Sequence, residues 1–314
     1  MRAGHGGTLL SLEIPEGSPP FPLPLVGVKR RSAVDLARLW WAARTGAGAT
    51  PAAARAFVLF VAYPRSGHGL VASLLDAHPD AAVAHELDVL SLVAAGFSGR
   101  RIARLVRENA RQFTQQGRRW SGYSYEVPGQ WQGRVRELRV LGDKKGARTV
   151  RRLQAQPELL RALAERMRAE VRVLHVVRDP RDTLGARFVR KSGVNPAHLV
   201  RAQCGLYRAV LRLEEQGVLG SPALLHHEDL VADPRARLAE VARFLGLAPD
   251  PSWLDAGARL VFPAPERLRD RFPWTAELAD EVDRAVTEVP FLRRYAGPAA
   301  ARPAAQNRSR LPRA

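Results

Sequence analysis

Hydrophobic positions along the chain fall into two rhythms. Phe57-Val58-Leu59-Phe60-Val61 is an unbroken apolar run, which predicts a short strand buried on both faces. Just beyond it, Leu70, Val71, Leu74 and Leu75 recur at helical spacing. The turn between them, Tyr63-Pro64-Arg65-Ser66-Gly67-His68-Gly69, carries two glycines. The same alternation returns downstream. Pro157 opens a helix with Leu159, Leu160, Leu163 and Met167 on its apolar side, leading into the strand Val171–Val177. Pro196 opens a long helix that runs to Gly217. Ala223–His226 reads as a short buried strand, and Asp233-Pro234 caps a helix with Leu238, Val241, Phe244 and Leu245 that closes at Gly246.

Strands alternating with helices predict an α/β domain of three layers, a central parallel sheet flanked by helices on both faces. Ligands in such sheets bind at the carboxyl ends of the strands. The pattern occupies residues 56–297. Residues 1–55 read as a peripheral N-terminal segment, with the proline-rich, extended Ser18–Pro24 and a short basic helix over Ala33–Arg44 carrying Trp40 and Trp41. Residues 298–314 are rich in alanine, proline and arginine without an acid, and read as a disordered basic tail.

Composition sharpens this. The chain of 314 residues is 46% hydrophobic, enough for one large α/β core, and its formal net charge is +18. A balance this basic favours polyanions: nucleic acid, anionic lipid, or a small ligand with several phosphates. The excess is arginine; lysine occurs only at 29, 144, 145 and 191, so the doublet Lys144-Lys145 stands out. The single cysteine, Cys204, rules out an internal disulfide or a cysteine metal cluster. No apolar run has transmembrane length, and prolines interrupt the one N-terminal apolar stretch, so a cytoplasmic protein is expected.

The strand, glycine turn and helix at 57–75 form the layout of an anion site, because amides at a helix start and the positive end of its dipole favour negative charge there. The loop lacks the lysine that the nucleotide-kinase loop requires. After the strand at 171–177 comes Arg178-Asp179-Pro180-Arg181-Asp182. Further on lie His227-Glu228-Asp229-Leu230, Asp233-Pro234 and Phe244-Leu245-Gly246-Leu247. Together with Pro64-Arg65-Ser66-Gly67 and Leu75-Asp76-Ala77-His78-Pro79, their order and spacing resemble the sulfotransferases that use 3′-phosphoadenosine 5′-phosphosulfate (PAPS). The first motifs look most like the tyrosylprotein branch, while Gly67-His68-Gly69 and Gly142-Asp143-Lys144-Lys145-Gly146 look like less characterised proteins with the same domain. The resemblance covers about 56 to 295 and implies a P-loop-like sulfotransferase fold.

The resemblance also implies roles. Arg65, Ser66, Gly67, His68 and Gly69 hold the 5′-phosphosulfate end of the donor. Arg178 and Arg190 reach the 3′-phosphate, a bidentate contact suited to arginine. The family commonly has a hydroxyl residue at the position of Ala186, and Thr183 or Lys191 is the expected substitute. His227 stands where the tyrosylprotein branch keeps an adenine-contacting tyrosine. Lys144 stands at the catalytic lysine, where a cation meets charge developing on the leaving oxygen. Glu86 or its neighbour His85 is the base, with the Glu86 pKa expected to be raised by a dry pocket. Arg267, Arg269 and Arg271 form a late basic cluster that can close over the donor. No metal is expected, and the acceptor is expected to be a small molecule or glycan. Aromatic residues packed among glycines, Trp120, Tyr123, Tyr125 and Trp131, suit a sugar or aromatic acceptor or a satellite core beneath a lid. Two other functions stay open: a nucleotide-dependent phosphoryl transferase, against which the missing loop lysine counts, and a basic nucleic-acid-binding protein, against which the scattered arginines and the lack of a recognised motif count.

Overall fold

The computed structural model describes residues 35–37, 39, 54–190, 193–261 and 268–297. Ser18–Pro24, Trp40, Trp41, Lys191, Arg267 and the tail at 298–314 lie outside the described residues; Asp35-Leu36-Ala37 and Leu39, within the expected first helix, are helical.

The apolar run becomes β1 (Ala56–Ala62), buried at every position. The elements that follow are α1 (His68–Asp76), β2 (Ala81–His85), α2 (Val89–Ala94), α3 (Gly99–Gln115) and a hairpin of β3 (Arg119–Trp120) and β4 (Tyr123–Ser124). Then come β5 (Val140–Lys144), α4 (Ala147–Ala155), α5 (Leu159–Met167), β6 (Glu170–Val177), α6 (Pro180–Val189) and α7 (Pro196–Glu215). The last elements are β7 (Ala223–His226), α8 (His227–Ala232), α9 (Pro234–Phe244), α10 (Pro251–Leu260), α11 (Ala276–Glu288) and a 3₁₀ turn over Pro290–Tyr295.

The five long strands form one sheet in the order β2-β5-β1-β6-β7. Every pairing in it is parallel, with Ala56 opposite both Val140 and Glu170, Ala81 opposite Val140, and Leu174 opposite Ala223. Parallel strands need helical crossovers, and these cover both faces. Phe57, Leu59 and Val61 of β1 point into a core shared with α2, α3, α7 and α11, while Val58, Phe60 and Ala62 point into a second core under α1, α9 and α10. Two-sided burial is why β1 reads as a continuous apolar run and not as an alternation.

The sequence signals for helix ends act as expected. Asn195 accepts the amides of Ala197 and His198 ahead of Pro196, and Asp233 accepts that of Ala236. Gly217 and Gly246, at φ 68° and 74°, close α7 and α9, with Val218 and Leu247 amides returning to Leu213 and Ala242. Because all five strands run the same way, their carboxyl ends and the loops that follow them share one edge of the sheet.

Candidate active site

Each of the five parallel strands delivers one sequence-predicted site residue, or a cluster of them, to that edge. Arg65 to Gly69 follow β1, His85 and Glu86 end β2, Lys144 and Lys145 end β5, Arg178 follows β6, and His227 follows β7.

The loop after β1 turns tightly. Arg65 and Gly67 sit at φ 70° and 87°, and the Ser66 amide returns to the Tyr63 carbonyl at 3.1 Å. Gly67 is required twice: its φ is left-handed, and a Cβ there would strike the His227 ring. Of the first-turn amides of α1, that of Leu70 returns to the Gly67 carbonyl at 3.0 Å, which leaves those of His68 and Gly69 for a ligand, and no acid stands in that turn. His68 turns its Nδ1 to Ser66 Oγ at 3.3 Å. On the other side of its ring, Nε2 lies 2.9 Å from where a Cβ on Gly146 would stand. Burial, aided by the Lys144 charge, lowers the His68 pKa to about 3, so the ring is neutral. The space left by Gly69 is filled from the hairpin: its Cβ would lie 3.1 Å from the Tyr125 hydroxyl.

Glu86 lies between two lysines. Lys144 Nζ donates to Oε1 at 2.6 Å, and Lys145 Nζ lies 3.3 Å from Oε2 and donates to the Glu86 carbonyl at 2.9 Å. Its backbone is held at φ 62°. The Glu86 amide donates to the Lys144 carbonyl at 3.0 Å, and the Asp143 carboxylate accepts the amides of Leu87 and Val89 at 3.1 and 2.8 Å. Asp143 is itself pushed up to about 6 by burial. The expectation of a raised Glu86 pKa is corrected here. Burial does push the carboxyl up, but Lys144 and Lys145 together outweigh it and hold it below its ordinary value. Burial lowers the Lys144 ammonium, with Glu86 opposing.

His85 is buried, stacked on Phe113 with ring centroids 4.1 Å apart, and its Nε2 faces Lys144 Nζ at 3.3 Å. Burial first and Lys144 second hold it well below the usual histidine range, so its free nitrogen serves the lysine. Of the two expected bases, Glu86 is therefore the more open, its side chain 20% exposed while His85 is buried.

Arg178, Arg65 and Arg190 have no acid paired with them among the described residues. Other arginines nearby are neutralised: Arg269 by Asp179 and Asp182, Arg181 by Asp283, and Arg294 by Asp229. That pairing also fixes Arg269, the described member of the late basic cluster other than Arg271, onto α6 instead of the cleft. Burial lowers the Arg65 pKa, and the like charge of Arg190 lowers it further. His227 is buried, its Nδ1 has no hydrogen-bond partner, and burial next to Arg178 lowers its pKa to about 4. Thr183 does not replace the hydroxyl missing at Ala186, since it is fully buried and donates to the Pro180 carbonyl of its own helix at 2.8 Å.

The aromatic loop packs against the end of β2 and the start of α1, with Trp120 on His85 and the Tyr125 hydroxyl at Gly69. Ser121 and Gly122, at φ 51° and 78°, make the two-residue turn of the β3–β4 hairpin. Trp120 meets His85 with centroids 5.1 Å apart, and Arg190 stacks on Tyr123 at 4.4 Å while donating to the Ser121 carbonyl. Two groups that the sequence reading left aside also shape the site. The Arg118 guanidinium, fixed to Asp76 at 2.8 Å, anchors the hairpin to α1. Glu228 accepts the Asp179 amide at 2.9 Å and the Tyr295 hydroxyl at 2.6 Å, tying the loops after β6 and β7 together. The acidic partners lie 42 and 49 positions from the groups they hold; that separation leaves no local signal.

The family model described as "Sulfotransferase family" matches residues 58–251, more than half of the chain. No curated protein matches the sequence. Among solved structures, the sulfotransferase domain from the Synechococcus PCC 7002 olefin synthase is 18% identical, covering 73% of this chain and 99% of that one, with a TM-score of 0.38. The sulfotransferase domain from the curacin biosynthetic pathway is 16% identical over 76% and 98%, with a TM-score of 0.45. Mouse sulfotransferase SULT7A1, complexed with PAP, is 15% identical over 84% and 94%, with a TM-score of 0.45.

Proposed function

The chain belongs to the sulfotransferase family, and on that premise we propose that it moves the sulfuryl group of PAPS onto a hydroxyl, or an amine, of a small-molecule or glycan acceptor. The observation that carries this reading is the set of uncompensated cationic and polar groups along one sheet edge: Arg65 with the His68 and Gly69 amides after β1, Arg178 after β6, and the unpartnered His227 Nδ1 set against Gly67. PAPS has a phosphate at each end of an adenosine, so it needs two separated anion sites of this kind.

The donor supplies a sulfur electrophile and a phosphate leaving group. Arg65, Ser66, Gly67, His68 and Gly69 receive the 5′ end. Arg178 and Arg190 receive the 3′-phosphate, and His227 lies against the adenosine between them. Lys144 meets the negative charge on the 5′-phosphate oxygen as the S–O bond breaks. Glu86 takes the proton released when the acceptor oxygen forms its new bond to sulfur. The products are the sulfated acceptor and PAP. Trp120 against His85, Tyr125 against Gly69 and the exposed Tyr123 favour a ring-bearing acceptor, aromatic or sugar.

Thermal shift tests the donor assignment. PAP is expected to raise the melting temperature more than AMP or ATP does, since a ligand at 100 times its dissociation constant adds about 2.7 kcal/mol. Equal shifts for all three point away from two phosphate sites, and a larger magnesium-dependent shift with ATP favours a phosphoryl transferase. A second measurement addresses the 3′ end. Arg178→Ala is expected to weaken PAP binding in calorimetry by about 1.5–3 kcal/mol with the fold intact, the usual worth of a charge-assisted hydrogen bond. Unchanged affinity moves the 3′-phosphate elsewhere.

A further inference from the structure

We propose that Lys145 is a positioning residue for this centre: it grips Glu86 by carbonyl and carboxylate together, and keeps that carboxylate placed and charged once the donor's leaving oxygen engages Lys144. The proposal rests on the sulfotransferase reading for its role in turnover.

Glu86 sits at φ 62°, a left-handed conformation that a non-glycine residue holds only where its surroundings enforce it. Asn109 of α3 holds the His85 backbone just before Glu86 by amide and carbonyl, and the end of β5 holds the rest. Asp143 takes the next amides, the Lys144 carbonyl takes the Glu86 amide, and Lys145 Nζ takes the Glu86 carbonyl at 2.9 Å. The same Nζ lies 3.3 Å from Oε2, while Lys144 holds Oε1. The carboxylate is thus shared, one oxygen to each lysine.

The charges facing Glu86 from every neighbouring element decide which group matters during turnover. From β5 come Lys144, Lys145 and Asp143; from α1, His68; from β2, His85; from the hairpin, Tyr125. His68 is neutral, with its pKa near 3, and His85 is held neutral by burial and Lys144. The Tyr125 hydroxyl is pushed above its ordinary value by burial and stays uncharged, and Asp143 repels a second carboxylate. Once Lys144 serves the leaving oxygen, Lys145 is the one remaining cation among these groups. Without it, a part-buried carboxyl beside Asp143 drifts upward and takes its proton from solvent instead of from the acceptor.

The test compares K145M and K145R with the parent protein, free and saturated with PAP. The Glu86 carboxyl resonance, assigned by its loss in E86Q, is followed by ¹³C NMR against pH. Loss of a positive charge raises the pKa of a carboxyl, so the Glu86 midpoint is expected at higher pH in K145M and near the parent's in K145R. The acid limb of PAPS turnover, which needs Glu86 ionised, is expected to move in the same direction. A scaffolding role alone lowers the melting temperature and leaves the midpoint in place; a folded K145M with an unmoved midpoint therefore overturns the proposal. Should K145M not fold, the PAP-bound parent decides, because Glu86 found protonated at neutral pH there overturns it equally. If PAP causes no shift at all, the donor reading fails by itself, and the titration of ligand-free protein still measures what Lys145 does to Glu86.

Discussion

Lys144→Ala is expected to lower turnover by about 10²- to 10³-fold, the usual cost of removing one preorganised charge stabiliser from a transition state. The size follows from burial. The Lys144 side chain is 2% exposed, and its ammonium is fixed by Glu86 at 2.6 Å and by His85 at 3.3 Å. A cation held this way in a site with little water acts at low effective dielectric when charge develops beside it. The loss should fall on kcat, with a smaller loss of PAP affinity because the lysine also meets the bound donor. Glu86→Gln makes the complementary case: it keeps the shape and removes the proton acceptor, with an expected loss of roughly 10²-fold or more. PAP affinity should then stay nearly unchanged, since the base faces the acceptor. Both are read by following PAPS conversion to PAP by chromatography, with phenols and sugars as trial acceptors. Acceptor-dependent turnover that survives in Glu86→Gln and disappears in His85→Ala transfers the base to the histidine. Loss of PAP binding in Lys144→Ala with kcat intact makes the lysine a donor-binding group only.

Why these residues were legible in the sequence, and their charge states were not, has a physical reason. A parallel sheet puts every strand's carboxyl end on one edge, so a motif after each strand is placed as soon as the strand is found. β1 announces itself by an unbroken apolar run and β6 by a valine- and leucine-rich one, and the helices at 196 and 234 by the prolines at their starts. β2 gives a weaker signal because Ala81-Ala82-Val83-Ala84-His85 is mostly alanine, which favours helices over strands. The β3–β4 hairpin reads as an aromatic loop because each strand has two residues, although Ser121-Gly122 between Trp120 and Tyr123 is a two-residue turn signal. Ionisation depends on distant partners. Lys144 and Lys145 lie 58 and 59 positions beyond Glu86, so nothing local shows that they reverse the effect of burial on it. Thr183 fails as a stand-in for the same kind of reason: helix geometry offers its hydroxyl the Pro180 carbonyl, three positions back.

Asp76→Ala is expected to cost about 3–5 kcal/mol of stability, the largest change foreseen for any single substitution here, because it leaves a buried charge without its partner. Asp76 and Arg118 are 1% and 2% exposed and meet at 2.8 Å. The carboxylate also accepts the Val83 amide at 2.8 Å and the Gly133 amide at 3.3 Å, so three donors lose their acceptor at once. For a domain of this size the melting temperature should fall on the order of 10 °C. Burial pushes the Asp76 carboxyl up even against the pull of Arg118. The pair is therefore costly to keep, and its value lies in what it fixes. Arg118, in left-handed backbone at φ 49°, also donates to Thr114 and Ser73, and its carbonyl accepts the Tyr125 amide at 3.0 Å. It thereby joins α1, which begins at the loop after β1, to the hairpin that on the proposed reading lies on the acceptor side. Replacing both partners, with Asp76→Leu and Arg118→Met together, is expected to cost less than Asp76→Ala alone, since no unpaired charge remains buried. It should still raise the acceptor KM more than it changes PAP affinity, because the hairpin loses its anchor while Arg65 and Arg178 keep their places. A double variant as unstable as the single one assigns the energy to shape, and an unaltered acceptor KM in the double variant separates the hairpin from acceptor binding.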